Sequence, residues 1–252
     1  MAIAGVDAWV LRMGDNALVL GQRLSEWCGH GPALEEDIAL ANTALDLIGQ
    51  SQMWLGLAGE IEGKGRSADD LAFLRDVWDF RNVLLVEQPN GDFGQTMMRQ
   101  FLFDAWHVEM LGALTGSTRP QIAEIAEKSR KEAAYHLDRS QAMVIGLGDG
   151  TDESRTRMQA ALDLLWPYVG EFCTPDALDH DMAEAGIAPD LDTLRPAYLT
   201  RLSDVLAEAT LTRPESDFSH KGGKTGARHS EHLGHMLSQM QWLQRAYPGA
   251  TW

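Results

Sequence analysis

Apolar residues return every three to four positions along most of the chain, the period of helices that turn one face to a core. Asp15 or Asn16 is placed to cap a first helix running to about Cys28, with Leu20, Leu24 and Trp27 on one face. Gly29, Gly31 and Pro32 break it. A second helix starts after Pro32 and runs to about Glu60. Glu35, Glu36 and Asp37 fill its first turn, where acids suit the macrodipole. Its aliphatic face reads Ile38, Ala41, Leu45, Ile48. Gly63, Lys64 and Gly65 make a surface loop, Asp69 to Asn82 reads as a shorter helix, and Glu87 to Asp92 is a turn-rich connector. A fourth helix covers Phe93 to Leu114, with Met97, Phe101, Asp104, Val108 and Leu111 at heptad spacing. A fifth, from Pro120 to about Gly146, turns Ile122, Ala126, Ser129, Ala133, His136, Ser140 and Met143 inward. Thr151 to Cys173 is a helix kinked at Pro167, and short helices follow at Pro175–Ala185 and Asp192–Ala209. Arg213 to Gly226 is a polar, glycine-rich, exposed loop, and His229 to Ala246 is a last amphipathic helix. The pattern contains no strand, repeat or low-complexity linker. It predicts a single all-α domain over residues 1–252, a four-helix bundle with additional C-terminal helices.

Composition narrows the class. The 252 residues, 44% hydrophobic and 23% charged, suffice for a well-buried core. No apolar run approaches the roughly 18 residues of a membrane helix. Met1 to Val10 lacks the basic-then-apolar order of a secretory leader. Cys28 and Cys173 lie far apart and suggest no disulfide framework, so a reducing cytoplasm is the expected location. The net charge of −16 would repel nucleic acid and anionic lipid and suits a basic partner, although solubility alone explains it more simply.

The polar residues inside the apolar stripes carry the candidate chemistry. An ionised carboxylate in a core is costly unless it is paired or binds a metal, so Asp104 needs an explanation. Asp46 shares a small, polar strip with Ala39, Asn42, Gly49 and Met53. Glu26 sits one turn after Arg23. Four helices thus offer one inward candidate each: Glu26, Asp46, Asp104 and His136. Bundles that hold two metals use one acid from each of two helices and Glu-x-x-His from each of the others. On that pattern Glu26 and Asp104 are the lone acids. Asp46 opens an acid-x-x-His that ends on Gly49 instead of histidine, and Ala133 stands where His136 requires a glutamate. Two of six ligands are missing, one from each pair. Glu132 does not substitute, because one residue is about 100° around a helix. A hydrogen-bonded core His or Asp is the commoner reading of any one position; four on four helices favour a degenerate, metal-free site. Its acids would then be protonated or paired with bases, Arg23 first and Arg130 or Lys131 as weaker choices.

Other signals are weaker. Gly222-Gly223-Lys224-Thr225-Gly226 lacks the preceding glycine and strand of a phosphate loop and reads as a flexible basic loop. His229, His232 and His235 read as surface or interface residues. His107, three after Asp104, falls off the heptad stripe and reads as a packing residue.

Several segments resemble one family: Leu18–His30, Asp37–Asn42, Asp46-Leu47, Leu84–Gly91, Asp104–Val108, Lys131–Leu137, Gly222–Lys224, Glu231–Met236 and the terminal Trp252. The chain is similar, from about Val10 onward, to the C-subunit family of the bacterial ring 1,2-phenylacetyl-CoA epoxidases. That resemblance implies a ferritin-like fold and membership of a multicomponent oxygenase of aerobic phenylacetate breakdown. It implies a sister subunit of the same fold that carries the di-iron centre, with electrons from a reductase subunit. Members of the C-subunit family are expected to have degenerate ligands, no catalytic residue and no cofactor of their own, and to pair with the catalytic subunit in a hetero-oligomer. A CoA thioester near their interface is a further expectation. The rival readings are a catalytic di-iron oxygenase with unusual ligands and a ferritin-like metal-storage protein.

Overall fold

The computed structural model describes residues 4–216 and 218–250; Trp252 of the resemblance lies outside them. Every regular element among these residues is helical. By packing, the chain divides into two compact units, Met1–Pro89 with Lys221–Trp252, and Asn90–His220.

The first unit is built on the pair α1 (Val6–Ser25) and α2 (Leu34–Glu62), followed by α3 (Ala68–Phe73), a 3-10 turn at Val77–Asp79 and the single turn α4 (Leu84–Glu87). The paired helices approach closely at Gly14, where a β-carbon would lie 2.7 Å from Leu55 Cδ2. The helix expected to begin at Asp15 or Asn16 begins nine residues earlier, and neither residue is a cap. Both are buried in mid-helix and bind the segment that follows α3. Asp15 Oδ2 accepts from Arg75 Nη1 at 2.9 Å and from the Arg81 amide at 2.8 Å, while Asn16 Oδ1 accepts from the Val83 amide at 2.8 Å. Arg75 also places its guanidinium 4.3 Å from the Phe80 ring centroid. These interactions hold Arg75 outside a helix, which is why the helix expected over Asp69–Asn82 stops at Phe73.

The C-terminal helix of the sequence reading is two, α10 (Glu231–Met240) and α11 (Trp242–Ala246). The break falls at Gln241, whose side-chain amide donates to the Ala72 and Arg75 carbonyls at 3.0 Å each. The glycine-rich segment before α10 is not wholly exposed: Gly223 and Lys224 are buried. A β-carbon on Gly223 would lie 2.5 Å from the Asn82 carbonyl oxygen, so only glycine permits this packing.

The second unit pairs α5 (Phe93–Leu114) with α6 (Pro120–Gly148). Asp92 caps α5 by accepting from the Gln95 amide at 2.9 Å, and Pro120 opens α6, where a missing N–H costs nothing. Around this pair lie α7 (Asp152–Leu165), a 3-10 stretch at Trp166–Cys173, α8 (Ala177–Glu184) and α9 (Leu191–Glu208). Phe172 stacks on Trp106 at 4.7 Å, and Tyr198 donates to the Leu102 carbonyl at 3.0 Å. Thr96 to His107 are all buried, so this stretch of α5 is enclosed on every side.

Candidate functional site

Asp104, Ala133, His136 and Ser140 are all buried, the first on α5 and the others on one stripe of α6. Gln100 Nε2 donates to Asp104 Oδ1 at 2.7 Å, and Ser140 Oγ lies 2.8 Å from Oδ2. Neither partner is a base. Burial pushes the Asp104 pKa up to about 8, against the opposing effects of Ser140, Gln100 and the charge of Arg139. Near neutral pH the neutral acid therefore prevails, and its O–H can donate to Ser140 Oγ, whose own hydroxyl reaches the Leu137 carbonyl at 3.3 Å. Of the two expected states, protonation or pairing with a base, burial and these partners favour protonation of Asp104. Arg130 and Lys131 point to the surface, Arg130 bonded to Glu127.

His107 belongs with this cluster. It is buried against Phe103, with ring centroids 4.8 Å apart, and Nδ1 has no hydrogen-bond partner among the described residues. Its pKa is lowered to about 3, first by burial and then by the proximity of His136. The heptad stripe left His107 aside because that rule assumes one buried face, and α5 has no exposed one over this stretch.

The candidates on the first unit differ. Glu26 is not inward. It follows the last residue of α1, its side chain is 39% exposed, and its Oε1 accepts from Arg23 Nη1 at 2.9 Å. Asp46 and Gly49 lie part-buried on α2, where a β-carbon at Gly49 would meet nothing within 4 Å. Alanine at 133 and glycine at 49 offer no donor atom.

A second buried centre escaped the sequence reading. Glu87, assigned to a connector, is fully buried, with His229 Nδ1 2.6 Å from Oε1. Asn82 Nδ2 donates to Oε1 at 2.9 Å, and the Ser230 amide and hydroxyl both lie 2.7 Å from Oε2. The other His229 nitrogen, Nε2, faces the Phe80 carbonyl at 3.2 Å and therefore carries hydrogen. The Glu87 backbone oxygen accepts from Arg23 Nη2 at 2.8 Å. His229 is thus a buried tether rather than a surface residue. The turn-rich character of Glu87–Asp92 hid this, because a buried use of Glu87 depends on partners 142 and 143 residues away.

A family profile described as "Phenylacetic acid catabolic protein" matches residues 4–252. The chain belongs to this family. Within the phenylacetic acid catabolic proteins, the C subunit of the 1,2-phenylacetyl-CoA epoxidase of Escherichia coli (strain K12) is 49% identical over 247 residues, covering 98% of this chain and 99% of the relative. The fold is all-α and ferritin-like, as expected. Ala133 and Gly49 leave two positions of the two-metal pattern without a donor atom. Among the described residues no three His, Cys, Asp or Glu side chains are grouped to hold a metal ion. No described helix is long and apolar enough to cross a membrane.

Proposed function

We propose that this chain is the non-catalytic structural subunit of a multicomponent di-iron oxygenase that epoxidises the aromatic ring of phenylacetyl-CoA. It pairs with the catalytic di-iron subunit and stabilises it, alongside the other oxygenase and reductase subunits. A CoA thioester near their interface belongs to the same reading. The near end-to-end similarity to a relative named for its place in that epoxidase supports the reaction context. The observation that carries the non-catalytic part is Asp104, both of whose carboxyl oxygens are engaged by the neutral side chains of Gln100 and Ser140. Ala133 and Gly49 supply no replacement donor. In this reading Asp104, Ala133 and His136 are vestigial positions of an ancestral two-metal site. Ser129 Oγ and His107 Nδ1, buried without partners among the described residues, are the unresolved polarity such a history leaves.

The deciding experiment is iron analysis of the chain purified alone, followed by an epoxidation assay with the catalytic and reductase subunits supplied. The expected result is no stoichiometric iron and no turnover alone, with restored turnover in the mixture. About two irons per chain, the loading of a di-iron bundle, would overturn the reading.

A further inference from the structure

Helix α2 carries a second apolar face that the fold leaves uncovered. Its core face is formed by Leu40, Leu47, Trp54 and Ala58, all buried. The stripe Leu34, Ile38, Ala41, Leu45 lies on the far side, although apolar spacing alone assigns its last three members to the core. Leu34 is 72% exposed, Ile38 51% and Leu45 65%. Steps of four, three and four residues keep these side chains within one narrow strip about 17 Å long. That spacing is the seam into which another helix packs, ridges into grooves. Isolated exposed leucines are ordinary, whereas three large aliphatics in register on one helix mark an interaction face.

Charge selects the occupant. Over its 29 residues α2 has six acids, Glu35, Glu36, Asp37, Asp46, Glu60 and Glu62, and no lysine or arginine. Exposed Glu35 and half-buried Asp46 follow one flank of the apolar strip. A second copy of the chain laid on this seam would bring acid against acid. We infer that the outer face of α2 is the docking seam for an amphipathic helix of a partner subunit, one with aliphatic residues at three-four spacing and lysine or arginine along its flanks. The inference rests on the subunit reading above for the identity of the partner and on α2 alone for the face.

The test uses the full chain, the purified catalytic subunit as one probe, and as a second a synthetic helical peptide with leucine at three-four spacing and lysine flanks. Binding is measured by calorimetry for the parent chain and for the double variant Ile38→Glu, Leu45→Glu. Both positions are exposed, so circular dichroism and melting should match the parent. The same change at exposed Leu164 on α7 serves as the control. The expected result is a loss of affinity on the order of 100-fold for both probes in the α2 variant, as for buried hot-spot residues, with none in the control. Glu35→Lys should weaken binding and reduce its salt dependence. Equal binding of the catalytic subunit by parent and variant would overturn the face while leaving the pairing intact. Variant-sensitive binding of the peptide, with none of the catalytic subunit, would support the seam and sink the pairing. Binding of neither probe, or a parent dimer that the α2 variant dissociates, would overturn the inference.

Discussion

Asp104 remains uncharged because burial outweighs two hydrogen bonds and the pull of Arg139. Its pKa moves from 3.8 unfolded to about 8 folded. Between those values the folded chain holds the extra proton, so this group's stabilising effect is complete below 3.8 and is lost as pH rises through about 8. Asp104→Asn removes the ionisation and keeps the shape. Its oxygen can accept from Gln100, and its amide can donate to Ser140 Oγ, as the protonated acid does. The variant should be more stable than the parent at pH 8, by a few kcal/mol at about 1.4 per pKa unit, and should lose that advantage progressively toward pH 5. Urea unfolding at the two pH values measures this; an advantage independent of pH would mean the carboxyl is charged in the fold. That Asp104 is buried was legible from its place in an apolar stripe. Its state was not, because Gln100 lies on the same helix and Ser140 on another, and only their distances decide between a paired and a neutral acid. Glu26 was misplaced for a different reason: periodicity cannot tell the last turn of a helix, which faces water, from the turns before it.

At the scale of elements, apolar spacing located the long helices and failed on which side each one buries. Phe93–Leu114 begins and ends as the sequence predicts, since Asp92 is a cap of the usual kind. On α2 the spacing fits two faces equally, and the face through Ile38 and Leu45 is exposed. Asp15 and Asn16 have the side chains of caps but spend them on tertiary bonds, which no local rule anticipates. The Asp15–Arg75 pair carries the consequence. Both side chains are buried, and removing the acid leaves a guanidinium without its charge partner. Asp15→Ala should cost about 3–5 kcal/mol, as for other broken buried pairs. Amide exchange should rise first in α3 and the Val77–Asp79 turn, whose position Arg75 sets. A loss below about 1 kcal/mol, typical of an exposed pair, would show that Arg75 finds another partner.

For the molecule as a whole, the sequence leaves out the return of its C-terminus. Residues 221–252 pack into the same unit as 1–89, and the intervening 90–220 form their own. The ties are specific: His229 and Ser230 hold Glu87, the His232 carbonyl accepts from Arg23 at 3.0 Å, and Gln241 and Arg245 satisfy carbonyls at the end of α3. Each is made by a side chain or carbonyl more than 140 residues from its partner, so composition and periodicity carry no trace of it. A chain ending at His220 would take His229 and Ser230 away from the Glu87 carboxyl and leave it to Asn82 and water. Hydrogen exchange on that truncated chain should show lost protection in α3 and α4 and weakened protection where α1 ends at Ser25. Protection in α5, α6 and α9 should persist, because the Asp104 network and the Tyr198–Leu102 bond lie within residues 90–220. Uniform loss across all helices would instead mean that the two units unfold as one, and the C-terminal return would then be a condition for the whole fold rather than for the unit it completes.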